Sequence, residues 1–167
     1  MNLQLSINVG GMTKRLKDAA KVHAEICDAA VEWQRALTLA GCRNQRTVKV
    51  RVEFGLIPEN PDSAARTYRA PHQRVPQGFD ALIVISNERA RSLCHKGTSK
   101  LSMYLFGSIE LFTLALHELG HALGLPHNEE DGAGMDSIMD ARAPFSCHKG
   151  ITRYDGQWAA RRLSPAP

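Results

Sequence analysis

The stretch Leu116-His117-Glu118-Leu119-Gly120-His121-Ala122-Leu123-Gly124-Leu125-Pro126-His127-Asn128 decides how the chain is read. His117 and His121 are four residues apart, so on a helix both imidazoles project from one face and can grip one ion. Glu118 stands beside the first of them, placed to reach a water on that ion without binding the ion itself. Three residues past His121, Gly124 can adopt the positive φ that ends a helix and turns the chain back. That return brings His127 to a third ligand position. Three neutral histidines leave a fourth position for water, the arrangement of a catalytic zinc rather than a structural one. At roughly one in twenty per fixed position, a chance match to five positions in a chain this long is on the order of one in ten thousand. Surface histidines on an amphipathic helix are therefore a poor alternative.

Working outward, Ser137-Ile138-Met139 places a methionine 12 residues after His127. The longer fingerprint His-Glu-x-x-His-x-x-Gly-x-x-His…Met expects its Met-turn in that region, where a thioether beneath the imidazoles forms an apolar floor. The motif helix runs from about Ser108 to Leu123, and a short helix follows over Arg153–Leu163. Upstream, Leu3, Leu5, Ile7 and Val9 alternate as a strand closed by Gly10-Gly11. Leu16, Ala19, His23, Ile26, Ala30, Trp33 and Leu37 recur at helical spacing, with Thr13 as N-cap and Gly41 as stop. On that stripe His23 reads as a hydrogen-bonded core histidine. Thr47–Phe54 alternates without error and reads as a strand with one wet face. Pro58 to Gly78, with Pro58, Pro61, Pro71 and Pro76, reads as a long surface loop. Ala81–Ser86 is uniformly apolar, as a central strand covered on both faces should be, and Leu101, Met103 and Leu105 alternate as an edge strand. The order predicts an α+β fold: a twisted mixed sheet of four to five strands packed on a long helix and an active-site helix, then a Met-turn and a C-terminal helix.

At 167 residues the chain reads as one domain, 1–167. Its longest charge-free stretches, such as Leu119–Asn128 and Leu101–Ile109, fall well short of the roughly 18 apolar residues of a membrane span. A net charge of +4 is weak reason to expect an anionic partner. Arg43, Arg46, Lys49 and Arg51 have no interleaved aromatics and read as a solvated sheet face, not a nucleic-acid surface. Ser108 to Asp140 contains no Lys or Arg but holds Glu110, Glu118, Glu129, Glu130, Asp131, Asp136 and Asp140. If this segment lines the cleft, the cleft is more negative than the body and favours substrates with basic flanks; Glu129–Asp131 reads equally as a solvated loop or a weak calcium set. The basic run Lys14, Arg15, Lys17 follows the first apolar stretch instead of preceding it, unlike a signal peptide. Cytoplasmic residence, export by a signal-independent route and a trimmed leader all stay open. Cys94 and Cys147 each begin a Cys-His-Lys-Gly tetrapeptide, compatible with a disulfide, free thiols or a second metal site. Cys27–Cys42 is the least favoured pair, because a helix running to about residue 39 sets these thiols roughly 20 Å apart.

By these residues the sequence resembles the metzincin clan of zinc metalloproteases and, within it, the matrixins. The resemblance covers nearly the whole chain. It implies a single metalloprotease catalytic domain and a zinc-dependent endopeptidase, with His117, His121 and His127 binding one zinc, Glu118 as general base and Met139 in the Met-turn. It implies a polypeptide substrate paired with the edge strand near Leu101–Leu105 by β-augmentation, and a pocket wall over Ala141–Thr152. A monomer without nucleic-acid or membrane partners is expected. The chain also departs from the family pattern. Asn128 stands where matrixins usually carry Ser or Thr, and between Gly55 and Gly107 the only histidines are His72 and His95, so no second zinc of the matrixin type is expected and calcium stays open. Ala141, not tyrosine, lies two residues after Met139, which leaves out the extra ligand of astacin-like relatives. A zincin-fold binding protein without catalysis is the alternative reading, and the intact Glu118 stands against it.

Overall fold

Alternating apolar residues bring β1 (Asn2–Asn8) and β2 (Thr47–Gly55) together in parallel, Leu3 opposite Val48 and Leu5 opposite Val50. A parallel pair needs a long crossover, and α1 (Ala19–Leu39) supplies it. The chain then runs to β3 (Ala65–Arg69) and back to β4 (Ala81–Ser86), completing a four-stranded mixed sheet in the order β1-β2-β4-β3. β4 is parallel to β2, and β3 is antiparallel to β4. A two-residue parallel pair, β5 (Leu93–Cys94) and β6 (Ile109–Glu110), leads into α2 (Leu111–Ala122), and α3 (Arg153–Leu163) closes the fold. The computed structural model describes residues 1–12, 16, 18–44, 46–87, 93–98, 108–128, 137–141 and 150–164. Its architecture is the expected α+β one.

Why β4 carries no polar alternation is visible in what covers it. Ala81, Ile83 and Ile85 join Val48, Val50, Val52 and Phe54 of β2 against the helices. Leu82 and Val84 face the other way, where Ile57, Tyr68 and Val75 cover them. β2 keeps one wetter face, on which Arg51 pairs with Glu53 at 3.3 Å, while Arg46, just before β2, pairs with Asp80 at 2.6 Å.

Three expectations need correction. The Pro58–Gly78 segment is not all loop: β3 lies inside it, in the proline-free window between Pro61 and Pro71. Its exposed arginines suit a short edge strand, and the flanking prolines hid it. The helix N-cap is Asp18, whose Oδ1 accepts from the Lys21 N–H at 3.0 Å; Thr13 lies outside the described residues. His23 is exposed, because the buried stripe of α1 is Val22, Glu25, Ile26, Ala29, Ala30, Trp33 and Leu37. The stripe keeps Ile26, Ala30, Trp33 and Leu37 of the expected set, but in its first turns Val22 and Glu25 are buried in place of Ala19 and His23, which face solvent. The predicted edge strand at Leu101–Leu105 lies outside the described residues.

Two buried contacts lock the helices. The indole N–H of Trp33, which is fully buried, donates to the Leu116 carbonyl at 2.8 Å and ties α1 to α2. On α2, Gly120 presents no side chain, and Met139 and Trp33 close over it. At the start of α3, Thr152 and Asp155 form a reciprocal capping box. The buried Asp155 carboxylate also accepts from the Ser137 hydroxyl and the Ile138 N–H, so it fastens the Ser137–Asp140 turn to α3.

Gly120→Ala would place a methyl 2.2 Å from Met139 Sδ and 3.0 Å from Trp33 Cζ2. Such overpacking is expected to cost about 1–3 kcal/mol, measured as a lower urea midpoint with unchanged m-value. Asp155→Ala strips partners from Ser137, Ile138 and Thr152 at a buried site. A loss of about 3 kcal/mol or more is expected, with Asp155→Asn closer to wild type; equal midpoints for Asp155→Ala and wild type would contradict this account.

Candidate metal centre and cleft

The helical rise of α2 sets His117 and His121 one turn apart on one face. The helix ends at Gly124, with φ +96°, where the Gly124 N–H donates to the His121 carbonyl at 2.9 Å and the Leu125 N–H donates to the Gly120 carbonyl at 3.0 Å. A side chain is disfavoured at that φ. The reversal carries His127 back over the helix, and the Asn128 N–H donates to the Met139 carbonyl at 2.9 Å, joining the returning strand of chain to the turn.

The three Nε2 atoms converge. Their separations are 3.1 Å for His117–His121, 3.2 Å for His117–His127 and 3.2 Å for His121–His127. Nitrogens at about 2.0–2.1 Å from one tetrahedral centre lie about 3.3 Å apart, so the triangle fits a zinc-sized cation. The far nitrogens agree. His117 Nδ1 lies 2.7 Å from the Ile138 carbonyl and His121 Nδ1 lies 2.7 Å from the Leu125 carbonyl. A carbonyl only accepts, so both Nδ1 atoms carry the proton and both Nε2 atoms offer a lone pair. Burial, with the neighbouring imidazole of His121, pushes the His117 pKa down to about 3, and burial also lowers that of His121. Both rings stay neutral near pH 7, as ligands must.

Glu118 is 5% exposed. Its carboxylate faces Thr67 of β3, whose hydroxyl lies 2.6 Å from Oε2 and 3.1 Å from the Glu118 carbonyl. Burial raises the Glu118 pKa to about 7, while the Thr67 hydrogen bond and His127 act in the opposite sense. Met139 is fully buried and packs against Gly120.

The cleft beside the triad has a volume of about 650 Å³ and is lined by β3, α2 and the returning segment. Among the described residues its lining carries cations that the segment Ser108–Asp140 does not contain. Arg66 and Arg69 of β3 and Arg162 of α3 line it alongside Asp62 and Glu118. Counting charge along Ser108–Asp140 missed this because strands and helices from elsewhere supply half the walls. Glu110 is buried away from the cleft, accepting from Thr113 and Gly97, and Glu129–Asp136 lie outside the described residues. Of the expected wall Ala141–Thr152, Ala141 lines the cleft, residues 142–149 lie outside the described residues, and Ile151 and Thr152 line a separate groove against Ala36 and Leu39. Of the two Cys-His pairs, His95 contacts the buried Glu25 at 2.9 Å and Cys94 Sγ lies 3.6 Å from the Ile109 carbonyl; Cys147 lies outside the described residues.

Two polar residues of the site went unread. Asp155 was signalled by the Thr-x-x-Asp spacing of a capping box at Thr152. Thr67 was signalled only by the alternation of Ala65, Thr67 and Arg69, which becomes readable once the segment is taken as a strand.

A family model described as Matrixin, a peptidase family, matches residues 2–149. No curated protein matches the chain. The match spans most of the chain and includes the whole histidine cluster, so the chain belongs to the matrixin family of peptidases.

Proposed function

We propose that the protein is a zinc-dependent endopeptidase in which His117, His121 and His127 hold the metal, Glu118 is the general base and Met139 belongs to the Met-turn. The observation that carries this reading is the convergence of three Nε2 atoms at 3.1–3.2 Å in the same cleft as the Glu118 carboxylate. When bound, zinc supplies Lewis acidity, polarising the scissile carbonyl and making water acidic enough to ionise near neutral pH. Glu118 accepts a proton from the attacking water and delivers it to the amine nitrogen as the C–N bond breaks. Thr67 holds Oε2 from the side of β3, which leaves Oε1 to carry that proton.

A polypeptide substrate would lie extended along β3, which among the described residues is the edge strand on the cleft side of the sheet and a wall of the cleft. Main-chain pairing with an edge strand aligns a peptide independently of its sequence. The edge strand near Leu101–Leu105, for which the resemblance implies this pairing, lies outside the described residues.

Glu118→Gln is expected to lower kcat by about 10²–10⁴-fold while one zinc per chain remains by elemental analysis. Chelation should abolish wild-type cleavage and added zinc restore it. Retained turnover in Glu118→Gln would remove the base assignment, and metal-loaded wild type that binds peptides without cutting them would favour a binding protein. Thr67→Val is expected to lower kcat by about tenfold, the worth of one hydrogen bond to a charged group, with KM and zinc content unchanged. Thr67→Ser should recover most of the loss; a Ser variant as impaired as Val would show that Thr67 acts through packing.

A further inference from the structure

We infer that the cleft selects acidic substrate segments, with Arg66 and Arg69 of β3 and Arg162 of α3 as the residues that set the preference. The inference rests on the endopeptidase reading and deepens it by naming the substrate class.

Three observations carry it. Arg66, Arg69 and Arg162 all line the cleft beside the histidine cluster, and all three side chains are exposed. None of them forms an ion pair with a carboxylate among the described residues. The charge of the three cleft arginines is thus left for something that enters. Among the described residues the same wall holds two carboxylates, Asp62 and Glu118, against these three cations, and Glu118 is buried and bonded by Thr67.

The guanidinium groups are also restrained. The Arg69 guanidinium rests on Gly124, the residue that turns the chain toward His127; a Cβ there would lie 3.0 Å from Nη1. This places one cation at the rim of the metal centre. Arg66 lies 5.5 Å over the Tyr68 ring, a contact that limits its rotamers. Alternation along β3 sends Arg66 and Arg69 to opposite sides of the strand, so a peptide paired with its edge passes between two planar donors suited to carboxylates. Like charge is repelled from a cleft as effectively as opposite charge is drawn in.

The test is digestion of a degenerate peptide library by the zinc-loaded protein, with cleavage sites read by mass spectrometry, followed by matched peptides carrying Glu, Gln or Lys beside the mapped bond. The expected result is enrichment of Asp and Glu around cleaved bonds and kcat/KM about tenfold higher for the Glu than the Lys peptide, the low end of what a charge-lined cleft adds. The preference should shrink toward unity at 1 M salt, where the Debye length is about 3 Å. The double substitution Arg66→Glu and Arg69→Glu should invert the order of the Glu and Lys peptides, with folding checked by thermal unfolding; Arg69→Gln alone should reduce it. Equal cleavage of the three peptides, or a Lys preference, would overturn the inference and leave the endopeptidase reading intact. Absence of cleavage across the whole library would overturn that reading, and this inference with it.

Discussion

Three imidazole nitrogens 3.1–3.2 Å apart, those of His117 and His121 offering lone pairs inward, form an arrangement that their own electrostatics oppose. The protein holds it from behind. His117 and His121 each donate from Nδ1 to a main-chain carbonyl, and each of those carbonyls is fixed by a turn of the chain. The Leu125 carbonyl is set by the reversal at Gly124. The Ile138 carbonyl is set by the Ser137–Asp140 turn, which is fastened by Asp155 at the start of α3. A buried carboxylate of the last helix thereby governs the orientation of a ring on α2, through a hydrogen bond of the kind that tunes ligand basicity.

The same region shows how packing and polarity cooperate. Gly120 sits between the two helical histidines, and its missing side chain is the space that Met139 and Trp33 fill. Trp33 in turn bonds the Leu116 carbonyl, one residue before His117. Because interiors are close-packed and transmit strain, α1 bears directly on the histidine cluster although it contributes no residue to it. The long helix is both the crossover that makes β1 and β2 parallel and the platform under α2.

How much could be read beforehand follows from which signals are local. The histidine spacing, the stop at Gly124 and the placement of Met139 are short-range features, and each corresponds to a specific contact. The strands β1, β2 and β4 announced themselves through alternation or uniform apolarity, and α3 falls on the stretch marked for it, Arg153–Leu163. What escaped depended on tertiary placement. β3 is five residues long between prolines, so its strand character becomes decisive only when β4 pairs with it. On α1 the periodicity of His23 and Ala19 competed with that of Val22 and Ala29, and the sheet chose the second set. Glu25 is buried because His95 and the Lys96 N–H, some seventy positions away, meet its carboxylate.

Charge was the least legible property, for a geometric reason. A run of acidic residues along the chain describes a cleft only if that run builds the cleft alone, and here β3 and α3 add three arginines to it. Thr67 shows the same cross-chain construction at shorter range. It reaches both the main-chain carbonyl and the carboxylate of Glu118 from a strand whose neighbouring positions carry Arg66 and Arg69. The group that bonds the Glu118 carboxylate and two of the three cleft arginines therefore belong to one five-residue strand. Any displacement of that strand moves both together, so the hydrogen bond to Glu118 and the charge that β3 gives the cleft wall are mechanically one feature of the fold.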